Sequence, residues 1–136
     1  MRVALDTNIL ISALLLASGH PAAIYRAWIA GRFTLVTCEE QIEEFRAALQ
    51  KPALAERIRP HRAGRLVNEL RRVAEMAERL PRVRRSPDPN DDYLLALAEA
   101  GRADYLVTGD KSGLLALGSH GGTRIVSARE FAAEMG

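Results

Sequence analysis

Two apolar runs that each end on a carboxylate constrain this chain more than any other feature. Val3-Ala4-Leu5 begins almost at the N-terminus and reads as a short buried strand, with Asp6 directly behind it. Thr7 and Asn8 are helix-capping types, and the apolar run resumes as Ile9-Leu10-Ile11 and Leu14-Leu15-Leu16. The same grammar returns late in the chain. Tyr105-Leu106-Val107-Thr108 reads as a second core strand, Gly109-Asp110 closes it, and Leu114-Leu115-Ala116-Leu117 continues as helix. A single Asp in this setting is explained by capping the next helix. Two are hard to ascribe to capping, because the carboxyl end of a core strand is where open α/β sheets place their ligand sites.

The intervening sequence supplies the layers. Pro21 is placed to open a helix carrying Ala23, Ile24, Ala27, Trp28 and Ala30, stopped by Gly31. Phe33-Thr34-Leu35-Val36 is rich in β-formers. Thr37 and Glu40 have the spacing of a capping box before a helix with Ile42, Phe45 and Leu49 on one stripe, ending before Pro52. Helical spacing extends from Pro60 to Leu80, with Pro81 as its stop. Asp88, Pro89 and Asp91 have the pattern of an N-cap and first turn. Arg124-Ile125-Val126 reads as a last strand, and Ser127 with Glu130 as a second capping box. Four strands alternating with helices predict a parallel sheet covered on both faces. The expected architecture is a single three-layer α/β/α domain over residues 1–136.

Composition removes several function classes. Cys38 is the sole cysteine, so neither an internal disulfide nor a multi-cysteine zinc site is available. His20, His61 and His120 lack metal-ligand spacing. The longest apolar run, Ile9 to Ala17, is interrupted by Ser12 and too short to span a bilayer, so no membrane role and a cytoplasmic location are expected. Charge is unevenly spread: residues 51–85 carry +7 and residues 86–136 carry −4. A basic middle beside an acidic C-terminal third suits a polyanionic substrate met at a carboxylate-rich site; a solvated helix face explains the arginines equally well.

In a parallel sheet Asp6 and Asp110 fall at the same edge. The helices opening near Thr37 and Asp88 start at or near that edge. Asp92, one turn before Ala96 with Leu95 and Ala98 behind it, is expected to face the sheet. Glu43 and Glu44 flank the Ile42/Phe45 stripe, and periodicity does not choose between them. Such a cluster repels itself unless a cation joins it, and an all-oxygen donor set favours magnesium or manganese.

Four segments carry a family resemblance: Val-Ala-Leu-Asp-Thr-Asn at 3–8, Glu-Glu-Phe-Arg-Ala-Ala-Leu at 43–49, Asp-Pro-Asn-Asp-Asp-Tyr-Leu-Leu-Ala-Leu-Ala at 88–98, and Ala-Asp-Tyr-Leu-Val-Thr-Gly-Asp at 103–110. In this order and spacing the chain resembles PIN-domain proteins, in particular toxin components of toxin–antitoxin systems related to the VapC toxins. The resemblance implies a Mg2+- or Mn2+-dependent endoribonuclease with Asp6, Glu44, Asp92 and Asp110 as metal ligands and catalytic acids. It implies Asn8, Asp91 and Thr108 in support. It also implies an RNA substrate, a small antitoxin partner and a homodimer or larger assembly. Arg62, Arg65, Arg84 and Arg85 are candidates for the RNA backbone. Some relatives carry a further acid beyond the fourth, where this chain has Ser112 and Gly113. Two rivals are a PIN-like module that binds RNA or protein without cleaving it, and a haloacid-dehalogenase-type phosphatase. The latter wants a second Asp two residues after Asp6, where Asn8 stands.

Overall fold

The computed structural model describes residues 1–136, and a six-stranded sheet organises them. β1 (Arg2–Leu5) lies at its centre, paired in parallel with β2 (Thr34–Thr37) on one side and β4 (Tyr105–Val107) on the other. β3 (Glu75–Met76) extends the sheet beyond β2, and β6 (Thr123–Val126) extends it beyond β4, both in parallel. β5 (Ser119–His120) closes the far edge antiparallel to β6. The strand order is therefore β3-β2-β1-β4-β6-β5.

Side chains alternate across a strand, so each face builds its own core. Val3, Leu5, Leu35, Val107 and Val126 point to one layer, whereas Ala4, Val36, Leu106 and Ile125 point to the other. The first layer holds α1 (Thr7–Leu15), α2 (His20–Ile29), α3 (Glu39–Leu49), the one-turn α4 (Pro52–Ala55), α5 (Pro60–Arg72) and α8 (Ala128–Met135). Its largest buried side chains are Trp28, Phe45 and Phe131. Each such side chain contributes about 1.5–3 kcal/mol on burial. The second layer is α6 (Asp92–Ala100), through Leu94, Leu95, Leu97 and Ala98, with Leu114 of the one-turn α7 (Leu114–Leu117). α6 packs so tightly at its end that a β-carbon on Gly101 would stand 2.9 Å from Val36 Cβ. The expected three-layer α/β/α architecture is thus the one adopted. No single helix is long and apolar enough to cross a membrane.

Three local expectations differ from what the chain does. The helix predicted over Pro60–Leu80 ends at Arg72, and Glu75–Met76 instead pairs with Val36 and Thr37. The reason lies in where the next residues must go. Ala74 still packs on the first layer, but Ala77, Leu80 and Val83 pack on the second, so the chain must wrap around the β2 edge. A straight helix cannot make that crossing, and the open edge of β2 offers backbone partners. The capping box read at Thr37 and Glu40 does not form. Thr37 is the last residue of β2, fully buried, and its Oγ1 donates to Gln41 Oε1 at 2.6 Å, leaving Cys38 as N-cap. The β5 strand was also absent from the four-strand expectation, its two residues being too few to show periodicity, whereas β6 is the expected last strand extended by Thr123. The second capping box, Ser127 with Glu130, is present in both hydrogen bonds.

Candidate active site

Because five strands run in parallel, the carboxyl ends of β1 and β4 emerge side by side, and the residues that follow them meet there. Asp6 caps α1: its Oδ1 accepts from the Asn8 amide at 3.2 Å. Its Oδ2 accepts from Thr108 Oγ1 at 2.7 Å. The same Thr108 oxygen accepts from the Asp110 amide at 3.2 Å, so one buried hydroxyl ties the two strand-end acids together. Asp110 Oδ1 in turn accepts from the Gly113 amide. A β-carbon at Gly113 would stand 1.9 Å from Asp110 Oδ2, so a residue without a side chain lets that carboxylate lie where it does.

These acids and Asp91 line one hollow of about 500 Å³, with Asp88, Asn8, Ser12 and Gly109 completing its wall. Its electrostatics are those of crowded like charges. Asp6 is only 7 % exposed, and burial raises its carboxyl above the usual range, with Glu44 and Asp110 adding to the rise and the Thr108 and Asn8 hydrogen bonds opposing it. Asp91 is pushed up to about 6, first by burial and then by Asp6, Asp88, Asp110 and Glu44. Five carboxylates therefore feel one another at this edge.

Asp92 is not among them. Its Oδ1 accepts from the Arg85 and Ser86 amides at 3.0 and 2.7 Å, on the other side of the α6 start, beside Arg82 and Arg84. The expectation placed Asp92 in the site with Asp91 as companion; the structure exchanges their positions. The cause is a 3₁₀ turn over Pro89–Asp91 that precedes α6. Its tighter winding changes the phase on which the count back from Ala96 depended, and neighbours on a helix point about 100° apart.

Glu44 sits at the flank. It does not line the hollow, yet it acts on both Asp6 and Asp91, and its Oε1 accepts from Tyr93 Oη at 2.7 Å. Asn8 borders the hollow and Thr108 braces it from below. The four arginines divide. Arg62 donates to Leu14 O and Arg65 approaches Glu69, both beside a groove with Leu14, Tyr25 and Ile29, away from the acids. Arg84 and Arg85 adjoin Asp92, but the Arg85 guanidinium is taken up by Ser119 O and His120 Nδ1. Two residues escaped the sequence reading as part of the site: Asp88, seen only as a cap, and Tyr93, hidden in an apolar helix pattern. Spacing offered a clue for Asp88, since residues three apart share a face of a 3₁₀ turn with Asp91.

The donor set can be tested for a divalent ion. Every candidate ligand is a hard carboxylate oxygen, with no cysteine or histidine lining the hollow, and burial, then mutual repulsion, already raises two of the acids. By kind and by charge the residues fit Mg2+ or Mn2+. No three of them stand close enough, as the side chains lie, to hold an ion together.

A comparison with curated proteins finds no match. A sequence model of the PIN domain matches residues 2–112, from the first residue of β1 to just beyond Asp110, and so takes in every acid of the hollow. PIN domains are as a class nucleases. On that match, and on the parallel sheet that brings its acids to one edge, the chain belongs to the PIN-domain family.

Proposed function

We propose that the protein is a Mg2+- or Mn2+-dependent endoribonuclease whose ion is held by Asp6, Asp91 and Asp110, with Asp88 and Glu44 adding negative charge around it. The observation that carries this reading is the Thr108 bridge: one hydroxyl fixes Asp6 and Asp110 from separate strands at the mouth of a single acidic hollow. When bound, the ion would neutralise charge on the phosphoryl group and lower the pKa of a coordinated water. The protein's own part is placement. Thr108 and Asn8 orient Asp6, Gly113 orients Asp110, and the 3₁₀ turn delivers Asp91. Arg82 and Arg84, on the opposite side of the α6 start, supply positive charge for an RNA backbone without reading its sequence. The role as a toxin, the small antitoxin partner and the homodimer or larger assembly rest on the resemblance of the four sequence segments.

The test is cleavage of RNA by the purified chain in Mn2+, against Asp6→Asn. The expected result is cleavage that needs the metal and falls at least about 100-fold in the variant, the scale of losing an essential electrostatic contact. Equal cleavage by both proteins would remove the acids from the reaction. One observation favours a second reading, a PIN domain that binds without cutting: no three acids converge as they stand. RNA binding with no cleavage across added metals would support that reading instead.

A further inference from the structure

Beneath the acid hollow runs a chain of hydrogen bonds that no capping or strand-end pattern requires. Thr37 Oγ1 donates to Gln41 Oε1 at 2.6 Å. Gln41 Nε2 donates to Leu5 O at 2.6 Å and reaches Thr7 Oγ1 at 3.5 Å. Thr7 Oγ1 lies 3.1 Å from Tyr93 Oη, and Tyr93 Oη donates to Glu44 Oε1 at 2.7 Å. A hydroxyl has one proton to give. Since that of Tyr93 goes to Glu44, Thr7 must donate to Tyr93, and the amide of Gln41 supplies Thr7. Every link therefore points the same way, outward from Thr37 to Glu44.

Thr37, Gln41 and Thr7 are 0 %, 0 % and 2 % exposed, whereas Glu44 at the far end is on the surface. The relay joins the ends of β1 and β2 to the starts of α3 and α6, the elements that carry the acids. The bond from Tyr93 is the only side-chain hydrogen bond that Glu44 makes.

We infer that Tyr93 is a positioning residue, the last donor of a directional buried relay that aims the Glu44 carboxylate at the acid hollow. A Phe ring would fill the same space, so burial alone does not call for the hydroxyl. Glu44 without it would be a free surface side chain, with rotamer freedom that must be lost whenever it serves the site. This role rests on the nuclease reading, and its test separates the two.

Tyr93→Phe keeps the ring and removes the donor. Three quantities decide: Mn2+ affinity from the electron paramagnetic resonance of free Mn2+, kcat and KM on a short RNA, and the thermal midpoint. The expected result is Mn2+ binding weakened up to about 10-fold and kcat lowered about 10-fold, the low end of the scale for groups that support a metal site from outside its ligands. KM for RNA and the midpoint should stay near wild type. Adding Tyr93→Phe to Glu44→Gln should cost nothing further, because the donor acts only through that carboxylate. Should the Phe variant fold poorly, Thr7→Val against Thr7→Ser repeats the test one link upstream, with a smaller loss of Mn2+ affinity expected in Val and not in Ser. A Tyr93→Phe protein with wild-type Mn2+ affinity and kcat, or losses that add in full to those of Glu44→Gln, would overturn the role of Tyr93 alone. A wild-type protein that neither binds Mn2+ nor cleaves would overturn the nuclease reading, and the role of Tyr93 with it.

Discussion

At the scale of single residues, the acids of the hollow are held against their own preference. Asp91 shows this most plainly, its carboxyl raised to about 6 from an unfolded value near 3.9. For an acid shifted upward, the unfolded chain loses its proton first as pH rises. The stability this group contributes is therefore full below about pH 4 and is lost as pH climbs through 6. Metal-free protein should melt at a higher temperature at pH 5 than at pH 7 as far as this group is concerned, and Mn2+ should narrow the gap. Asp91→Asn should raise the metal-free midpoint at pH 7. Because Asp91 is only half-buried, solvent screening limits the gain to the order of 1 kcal/mol or less. The same variant should bind Mn2+ more weakly, a pair of opposite effects that calorimetry and metal titration would read on one sample. A midpoint that fell in Asp91→Asn would mean the carboxylate is stabilising as it stands, and would contradict the picture of crowded charge.

Elements decide which of two adjacent acids reaches the hollow. The 3₁₀ turn at Pro89–Asp91 sends Asp91 one way, and α6 sends Asp92 the other, where it accepts two backbone amides from the arginine-rich connection at Arg85 and Ser86. Asp92 is thus an anchor for the strap that wraps from β3 around the sheet edge. Asp92→Ala should cost about 0.5–1.5 kcal/mol, the net scale of hydrogen bonds that water can replace, and should speed amide exchange at Arg85 and Ser86 while Mn2+ affinity stays within about twofold. Loss of Mn2+ binding in that variant would restore Asp92 to the metal site. This is also where legibility from sequence stops. Strand-end acids at Asp6 and Asp110 announce themselves, because an apolar run followed by a carboxylate has few structural explanations. The identity of the third acid depends on helical phase, which one 3₁₀ turn resets without altering composition. The strap from Ala77 to Val83 imitates helical spacing because its apolar residues, like those of a helix, recur every three residues.

For the molecule as a whole, parallel topology does the essential work. Residues 6 and 110 lie far apart in sequence, yet parallel strands deliver their following residues to the same edge, and β1 beside β4 makes the meeting unavoidable, with the 3₁₀ turn bringing Asp91 to it. The architecture was readable for that reason: four apolar runs alternating with helices admit few arrangements other than this one. The edge strands β3 and β5, two residues each, left no periodic trace and follow from tertiary pairing alone. The central claim is that this edge is a single cation site. Its most direct measurement is the anomalous scattering of Mn2+ in crystals of the protein soaked with the metal. A peak bounded by Asp6, Asp91 and Asp110 is the predicted result; no peak, or one beside Asp92 and the arginine strap, would contradict it.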